Sequence, residues 1–333
     1  MIPVTGPSGA AAFLMKGRLG MDVILHIGAH RTGTTTFQRY MRDQTDYLER
    51  HAIGFWGPHR TRKSVFPGLF RGGGIGRVEN TAFRAAGRVA LQMHGAEQRG
   101  ARHLLVSDEN MLGTARYNLR SGALYPAAGE RMARLCDAFR GRISRVVMSV
   151  RSQDHWWASA AAMTVGRGHP VPSAQRCEMI ANDTRSWRDV ITDLACALPD
   201  AEIRVLPFEQ HMGRPQDILY QATDRRAPID PKHLWLNRSP DLARLRDVMA
   251  QQGGDITQLP QGQGRWLPFS HEQSAQLREA YADDMFWLTA GADGLAHLIT
   301  DPIRNQTGIN LHAGVLTEGQ GHDFGKEHVA RSG

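Results

Sequence analysis

Residues 23–38 read Val-Ile-Leu-His-Ile-Gly-Ala-His-Arg-Thr-Gly-Thr-Thr-Thr-Phe-Gln, and they decide the fold. The apolar run from Val23 to Ile27 suits a strand buried on both faces of a parallel sheet, and a strand is expected over 23–28. Gly28 and Gly33 bracket a tight loop. Thr34, Thr35 and Thr36 then open an amphipathic helix expected over 34–50. Strand, glycine-bounded loop and helix N-terminus together build an anion cradle. Backbone N–H groups converge there, and the helix dipole favours negative charge.

Outward from this stretch, strand and helix patterns alternate. Strands are expected at 53–56, 103–107, 144–150 and 202–206. Helices are expected at 78–99, 130–140, 152–165, 176–197 and 215–223. The C-terminal third reads as helical, at 240–251 and 271–290, joined by a Gly/Gln-rich loop at 252–264. Residues 57–77, rich in Gly, Pro and Arg, read as a long loop of the kind that more often carries function than not. Alternation of this kind predicts right-handed crossovers and a central parallel sheet flanked by helices. The expected fold is therefore α/β, of the three-layer P-loop NTPase-like type, with a helical C-terminal third. Ligands bind such sheets beyond the carboxyl ends of the strands. The 28–33 loop, Glu109 and Arg151 all fall at such ends. One domain is expected over 21–311, with a loose extension at 1–20 and a mobile tail at 312–333. Met21, just before the first strand, is a candidate start.

The loop departs from a Walker A sequence in an informative way. Walker A places Lys directly after its second Gly. Here Thr34 holds that place, and the cation lies inside the loop at Arg31. The run Arg31-Thr32-Gly33-Thr34-Thr35 resembles the 5′-phosphosulfate-binding loop of sulfotransferases that use 3′-phosphoadenosine 5′-phosphosulfate (PAPS). That family usually carries Lys where Arg31 stands. A second stretch, Arg151-Ser-Gln-Asp-His-Trp-Trp-Ala-Ser159, follows the strand pattern ending at Val150. It resembles the family's 3′-phosphate element, with Arg at a strand end and Ser eight residues on. Arginine offers a planar fork of donors to phosphate, and serine adds one more. In many carbohydrate-type and bacterial sulfotransferases a Glu at an equivalent strand end is proposed as the base, and Glu109 after Leu104-Leu-Val-Ser-Asp108 holds that place.

The resemblance spans about residues 22–225 by order of elements. It implies a PAPS cosubstrate, a hydroxyl-bearing acceptor (glycan, lipid or small alcohol or phenol) and no metal. It implies cosubstrate contacts from His30, Arg31, Thr32, Gly33, Thr34, Thr35, Thr36, Arg151 and Ser159, and catalytic roles for Arg31 and Glu109. Arg31 and the loop N–H groups would stabilise charge on the bridging oxygen of the leaving phosphate. Acceptor contacts are expected from 57–77 and the C-terminal third. The animal cytosolic members carry a later Arg-Lys-Gly segment for the 3′-phosphate, which has no match here.

Several residues have competing readings. Adjacent residues leaving a strand point to opposite sides, so only one of Asp108 and Glu109 faces the site. Glu109 is favoured, and Asp108 doubles as a helix N-cap. Some sulfotransferases use a histidine base, which brings in His26 and His30. His26, on the strand, reads as a satisfied semi-buried imidazole. His30 either meets the anion or shapes the turn. Trp156 and Trp157 read as core, and Asn237-Arg238-Ser239 as an N-cap with Pro240 in the first turn. A rival function is a P-loop small-molecule kinase or nucleotide phosphotransferase. It would need the Walker lysine and a Mg²⁺-holding acid, and only Asp108 offers itself.

Composition narrows the class further. With 333 residues and 41 % apolar content, the chain can bury a sizeable core. Lys plus Arg is 40 against 33 acids, giving a net charge of +7 that suits a polyanionic ligand. Most of those cations are arginine, which favours bidentate anion contacts. The excess is spread along the chain without the aromatic-interleaved patch of a nucleic-acid binder, so no nucleic-acid partner is expected. Cys136, Cys177 and Cys196 are odd in number and widely spaced, which excludes a disulfide framework and a zinc site. All three sit in apolar helical patterns and read as buried free thiols in a reducing, cytoplasmic setting. No apolar stretch reaches the length of a membrane span, so no integral membrane segment is expected. The 10–15 apolar run has its cations after it, the reverse of a secretory signal. Nothing in the sequence fixes the oligomeric state.

Overall fold

The structure, a computed structural model, describes residues 20–70, 77–229 and 235–300. The expected tail, and all of the N-terminal extension but Gly20, lie outside them. Among the described residues, six strands form one sheet: β1 (Asp22–His26), β2 (Ile53–Trp56), β3 (His103–Ser107), β4 (Ile143–Val150), β5 (Glu202–Pro207) and β6 (His297–Leu298). Their order is β2-β3-β1-β4-β5-β6, and every pairing is parallel. Helices cover both faces, which is the arrangement of a three-layer P-loop-like α/β fold.

The alternation of side chains along β1 sorts the two layers. Val23, Leu25 and Ile27 enter a core with α4 (Arg77–Gln98), α6 (Ala128–Ala138), α7 (Gln153–Val165), α9 (Trp187–Ala197) and α13 (His271–Thr289). Ile24 enters the opposite core with Phe37, Tyr40 and Met41 of α1 (Thr34–Asp43) and Leu219 of α11 (Pro215–Thr223). Trp156 and Trp157 are buried in the first core, as expected of core residues.

Differences from expectation trace to local signals. The helix expected over 34–50 breaks at Gln44 into α1 and α2 (Thr45–Arg50). The 57–77 segment is not all loop. Pro58 starts α3 (Pro58–Arg60), which runs on as a π-helical turn, Thr61–Val65. The helix expected over 176–197 is two, α8 (Ala174–Ala181) and α9, because Ser186 and Asp189 form a capping box that starts a new one. The helices α5 (Ala115–Ser121) and α10 (Phe208–His211) and the short β6 were not anticipated. The helix after 240 is α12 (Leu242–Gln251), and its cap is Asp241, which accepts from the Arg244 N–H at 2.8 Å. Asn237 and Ser239 are therefore not its N-cap. Only Cys177 is buried; Cys136 is half-buried and Cys196 exposed, so the expectation of three buried thiols is corrected.

Register brings the strand ends to one rim. His26 pairs with Ser107 and Val147, and Val150 pairs with Pro207. The loop after β1, Asp108–Glu109 after β3, Arg151 after β4 and Phe208 after β5 thus leave adjacent strands side by side. Among the described residues, no helix is long and apolar enough to cross a membrane.

Candidate active site

The central strand anchors the glycine loop. Ile27 N–H donates to Val147 O and Ala29 N–H to Ser149 O, extending the β1–β4 ladder into the loop. Gly28 then turns with φ of 27°, and a Cβ there would lie 2.7 Å from Thr34 Oγ1, so no larger residue fits without displacing that hydroxyl. Gly33 caps α1 in the left-handed region, with no side-chain cap. The first helical bond is Phe37 N–H to Gly33 O at 3.1 Å. Among the described residues, nothing accepts from the N–H groups of Arg31, Thr32, Gly33, Thr34, Thr35 or Thr36. A row of free donors at a helix N-terminus is the geometry that binds an anion. The threonine hydroxyls shape this row. Thr32 and Thr34 both donate to Ala29 O, at 2.6 and 3.4 Å. Thr36 accepts from Leu236 N–H, and Thr35 from the Asn237 side-chain amide.

Arg31 takes a left-handed φ of 67°, and its side chain reaches the neighbouring element. Nε donates to Ser159 Oγ at 2.9 Å, and one terminal nitrogen to Ser239 Oγ at 2.9 Å and Asn237 O at 2.8 Å. Ser159 and Ser239 share a 2.5 Å hydrogen bond. The Arg31 guanidinium thus sits with Ser159 and Ser239 in this structure. Arg151 completes the group by donating to Arg31 O at 3.0 Å, while its guanidinium lies 4.7 Å from the Phe208 ring centroid. Its Nε is buried and has no partner among the described residues, and neither arginine pairs there with a carboxylate. Burial pushes both down to about 10, reinforced by Arg167 beside Arg31 and by Arg265 beside Arg151. Both stay charged at neutral pH. One buried and one half-buried cation without a carboxylate partner among the described residues, beside a row of N–H donors, fit an extended polyanion.

On the β3 side the two acids have different roles. Asp108 is 2 % exposed. It accepts from Thr61 Oγ1 at 2.6 Å, from Arg62 through Nε and a terminal nitrogen, and from Asn110 N–H, capping a short 3-10 turn. All its capacity goes to structure, which leaves none for the metal the rival function requires. Glu109 accepts from Arg62 at 2.9 Å and from Gln38 of α1 at 3.1 Å. Burial pushes its carboxyl up, but His30 and the Arg62 guanidinium more than offset this, so it titrates below the usual carboxylate range.

The histidines are occupied. His26 is buried, its Nδ1 2.8 Å from Ser107 Oγ, and burial pushes it down to about 3 despite Glu109 nearby. It is the satisfied imidazole the strand pattern suggests, fully buried. His30 N–H donates to Tyr125 Oη at 2.9 Å, and His30 Nδ1 lies 2.7 Å from the same oxygen. Its Nε2 lies 3.0 Å from Asn110 Oδ1. With both nitrogens engaged and burial lowering its pKa, His30 shapes the turn.

Compared with protein-family models and with curated proteins, the chain matches none. The reading therefore rests on the site alone. The structure brings together Arg31, Arg151 and Ser159 at one point, and His30 and Glu109 at another, with the N–H row of residues 31–36 on the same rim. It adds Gln38, Arg62, Asn110 and Tyr125, which the sequence did not single out, and Ser239, which the sequence reading gave to a helix cap. Only Ser239 carried a signal, as part of a polar run that the capping reading absorbed. Among the described residues, no three His, Cys, Asp or Glu side chains are grouped to hold a metal ion.

Proposed function

We propose that the chain is a sulfotransferase that moves a sulfuryl group from PAPS to the hydroxyl of an acceptor. One observation carries the reading. Among the described residues, half-buried Arg31 and buried Arg151 have no carboxylate partner, and they lie beside six N–H groups without an acceptor and a separate, ionised carboxylate. A cosubstrate with a 5′-phosphosulfate and a 3′-phosphate matches two anion positions on one rim. The N–H row of residues 31–36 would hold the phosphosulfate, and Arg151, Ser159, Ser239 and Arg31 the 3′-phosphate.

PAPS supplies the activated sulfuryl group. The acceptor oxygen forms the new S–O bond as the bond from sulfur to the bridging phosphate oxygen breaks. The electron pair leaves with adenosine 3′,5′-bisphosphate, and the acceptor proton passes to a Glu109 carboxylate oxygen. Charge growing on the leaving oxygen falls on the N–H row, which needs no reorganisation to receive it. Arg31 is too weak an acid to protonate the leaving group, so its part is to hold the 3′-phosphate by charge and hydrogen bonds. Three cysteines outside any disulfide suit a reducing, cytoplasmic setting.

The test is transfer from labelled PAPS to a panel of glycan, lipid and phenol acceptors. Glu109→Gln is expected to lose turnover while keeping affinity for adenosine 3′,5′-bisphosphate. Arg31→Ala is expected to lose both. Wild-type turnover in Glu109→Gln removes Glu109 as the base, and absence of transfer to every acceptor class contradicts the reading.

A further inference from the structure

The π-helical turn Thr61–Val65, closed by Phe66 N–H to Thr61 O at 2.8 Å, delivers two consecutive side chains to the end of β3. Turns of this type inside helices concentrate at functional sites. Thr61 bonds Asp108, and Arg62 grips both Asp108 oxygens while reaching Glu109. One terminal nitrogen of Arg62 lies 2.6 Å from Asp108 Oδ1 and 2.9 Å from Glu109 Oε1. The anchored partner is buried, whereas the Arg62 side chain is 41 % exposed. The fork is thus fixed at its Asp108 end and opens to the site at its Glu109 end.

We propose that Arg62, locked on Asp108, is a positioning residue that holds the Glu109 carboxylate ionised and in one orientation for the acceptor hydroxyl. The proposal rests on Glu109 being the base of the sulfotransferase reading. Gln38 fixes the second oxygen of Glu109, so the two donors together define its plane. The titratable groups facing Glu109 are His26 and Tyr125, both fully buried, His30 and Arg31 from the glycine loop, Asp108 beside it, and Arg62. His26 is neutral at working pH, the His30 ring nitrogens lie on Tyr125 and Asn110, and Arg31 is bonded to Ser159 and Ser239. Arg62 is therefore the cation in contact with the carboxylate. Without it, Asp108 and Glu109 become adjacent carboxylates with no charge between them, which raises the pKa of one.

Arg62→Gln and Arg62→Lys in the full chain test this. In protein carrying ¹³C at the Glu carboxyls, the Glu109 resonance is the one lost in Glu109→Gln. Its titration midpoint should rise by about one pH unit or more in Arg62→Gln, with the acidic limb of kcat/KM moving by the same amount. Arg62→Lys keeps a charge but loses the fork. It should hold the midpoint near wild type yet lower kcat about tenfold or more, with affinity for adenosine 3′,5′-bisphosphate unchanged. An unmoved midpoint in Arg62→Gln, or wild-type kcat in Arg62→Lys, overturns the proposal. The carboxyl titration needs no acceptor, so it separates failure of this proposal from failure of the sulfotransferase reading.

Discussion

Replacing Arg151 by Met should make the protein more stable and unable to bind its anion. Arg151 is 9 % exposed, with Nε unpartnered among the described residues. Burial first, then Arg265, lowers its pKa from the usual arginine value to about 10, with Glu209 opposing and Arg31 reinforcing. That drop corresponds to roughly 3 kcal/mol held against the charged side chain in the folded state. Met forfeits the hydrogen bond to Arg31 O, about 1 kcal/mol, and the contact over Phe208, about 1 kcal/mol. The net gain is about 1 kcal/mol, or about 1–2 °C in Tm for a chain of this size. The sign follows from linkage. With its folded pKa of about 10 below its unfolded value, Arg151 is penalised in full at every pH below about 10, and relieved only as pH rises from there toward the usual arginine value. The gain should therefore be equal at about pH 6 and about pH 9. Thermal unfolding in chloride buffer free of sulfate and phosphate reads it directly. Adenosine 3′,5′-bisphosphate should raise the Tm of wild type and leave the variant unmoved. A variant that melts below wild type in chloride, or keeps the ligand-induced rise, refutes the reasoning.

Gly28→Ala should destabilise the fold by about 2 kcal/mol in urea denaturation, because the φ of 27° and the 2.7 Å approach to Thr34 Oγ1 both resist a Cβ; an unchanged midpoint contradicts the loop geometry. His26 makes the fold sensitive to acid. Its folded pKa, about 3, lies below the model-peptide value of 6.5, so its contribution is present above 6.5 and is lost as pH falls toward 3. His26→Gln should flatten the loss of stability across that window, measured as the denaturation midpoint against pH, and a slope equal to wild type refutes a buried neutral His26.

The parts of the site visible in the sequence are those made by contiguous residues. The apolar run before Gly28, the Gly28/Gly33 spacing and the threonines after it define a strand, a turn and a helix start within sixteen residues, 23–38. Arg151 and Ser159 were legible for the same reason, as one strand end and its helix. Contacts between distant segments were not. Arg62 reaches Asp108 across 46 positions and Arg31 reaches Ser239 across 208, and nothing local encodes such meetings. The direction of Arg31 was lost because a left-handed φ at a non-glycine residue is set by the loop's closure. The division between α8 and α9 was available in Ser186 and Asp189, a capping-box spacing inside an apolar pattern that overrode it.

The central claim is a cradle for two anions on one nucleotide, and calorimetric titration tests it most directly. Wild type is titrated with adenosine 3′,5′-bisphosphate, adenosine 5′-monophosphate and ATP–Mg²⁺. The account predicts that the bisphosphate binds at least about tenfold tighter than the monophosphate, the worth of one charge-assisted contact set, and tighter than ATP–Mg²⁺. Equal affinity for bisphosphate and monophosphate, or preference for ATP–Mg²⁺, contradicts it.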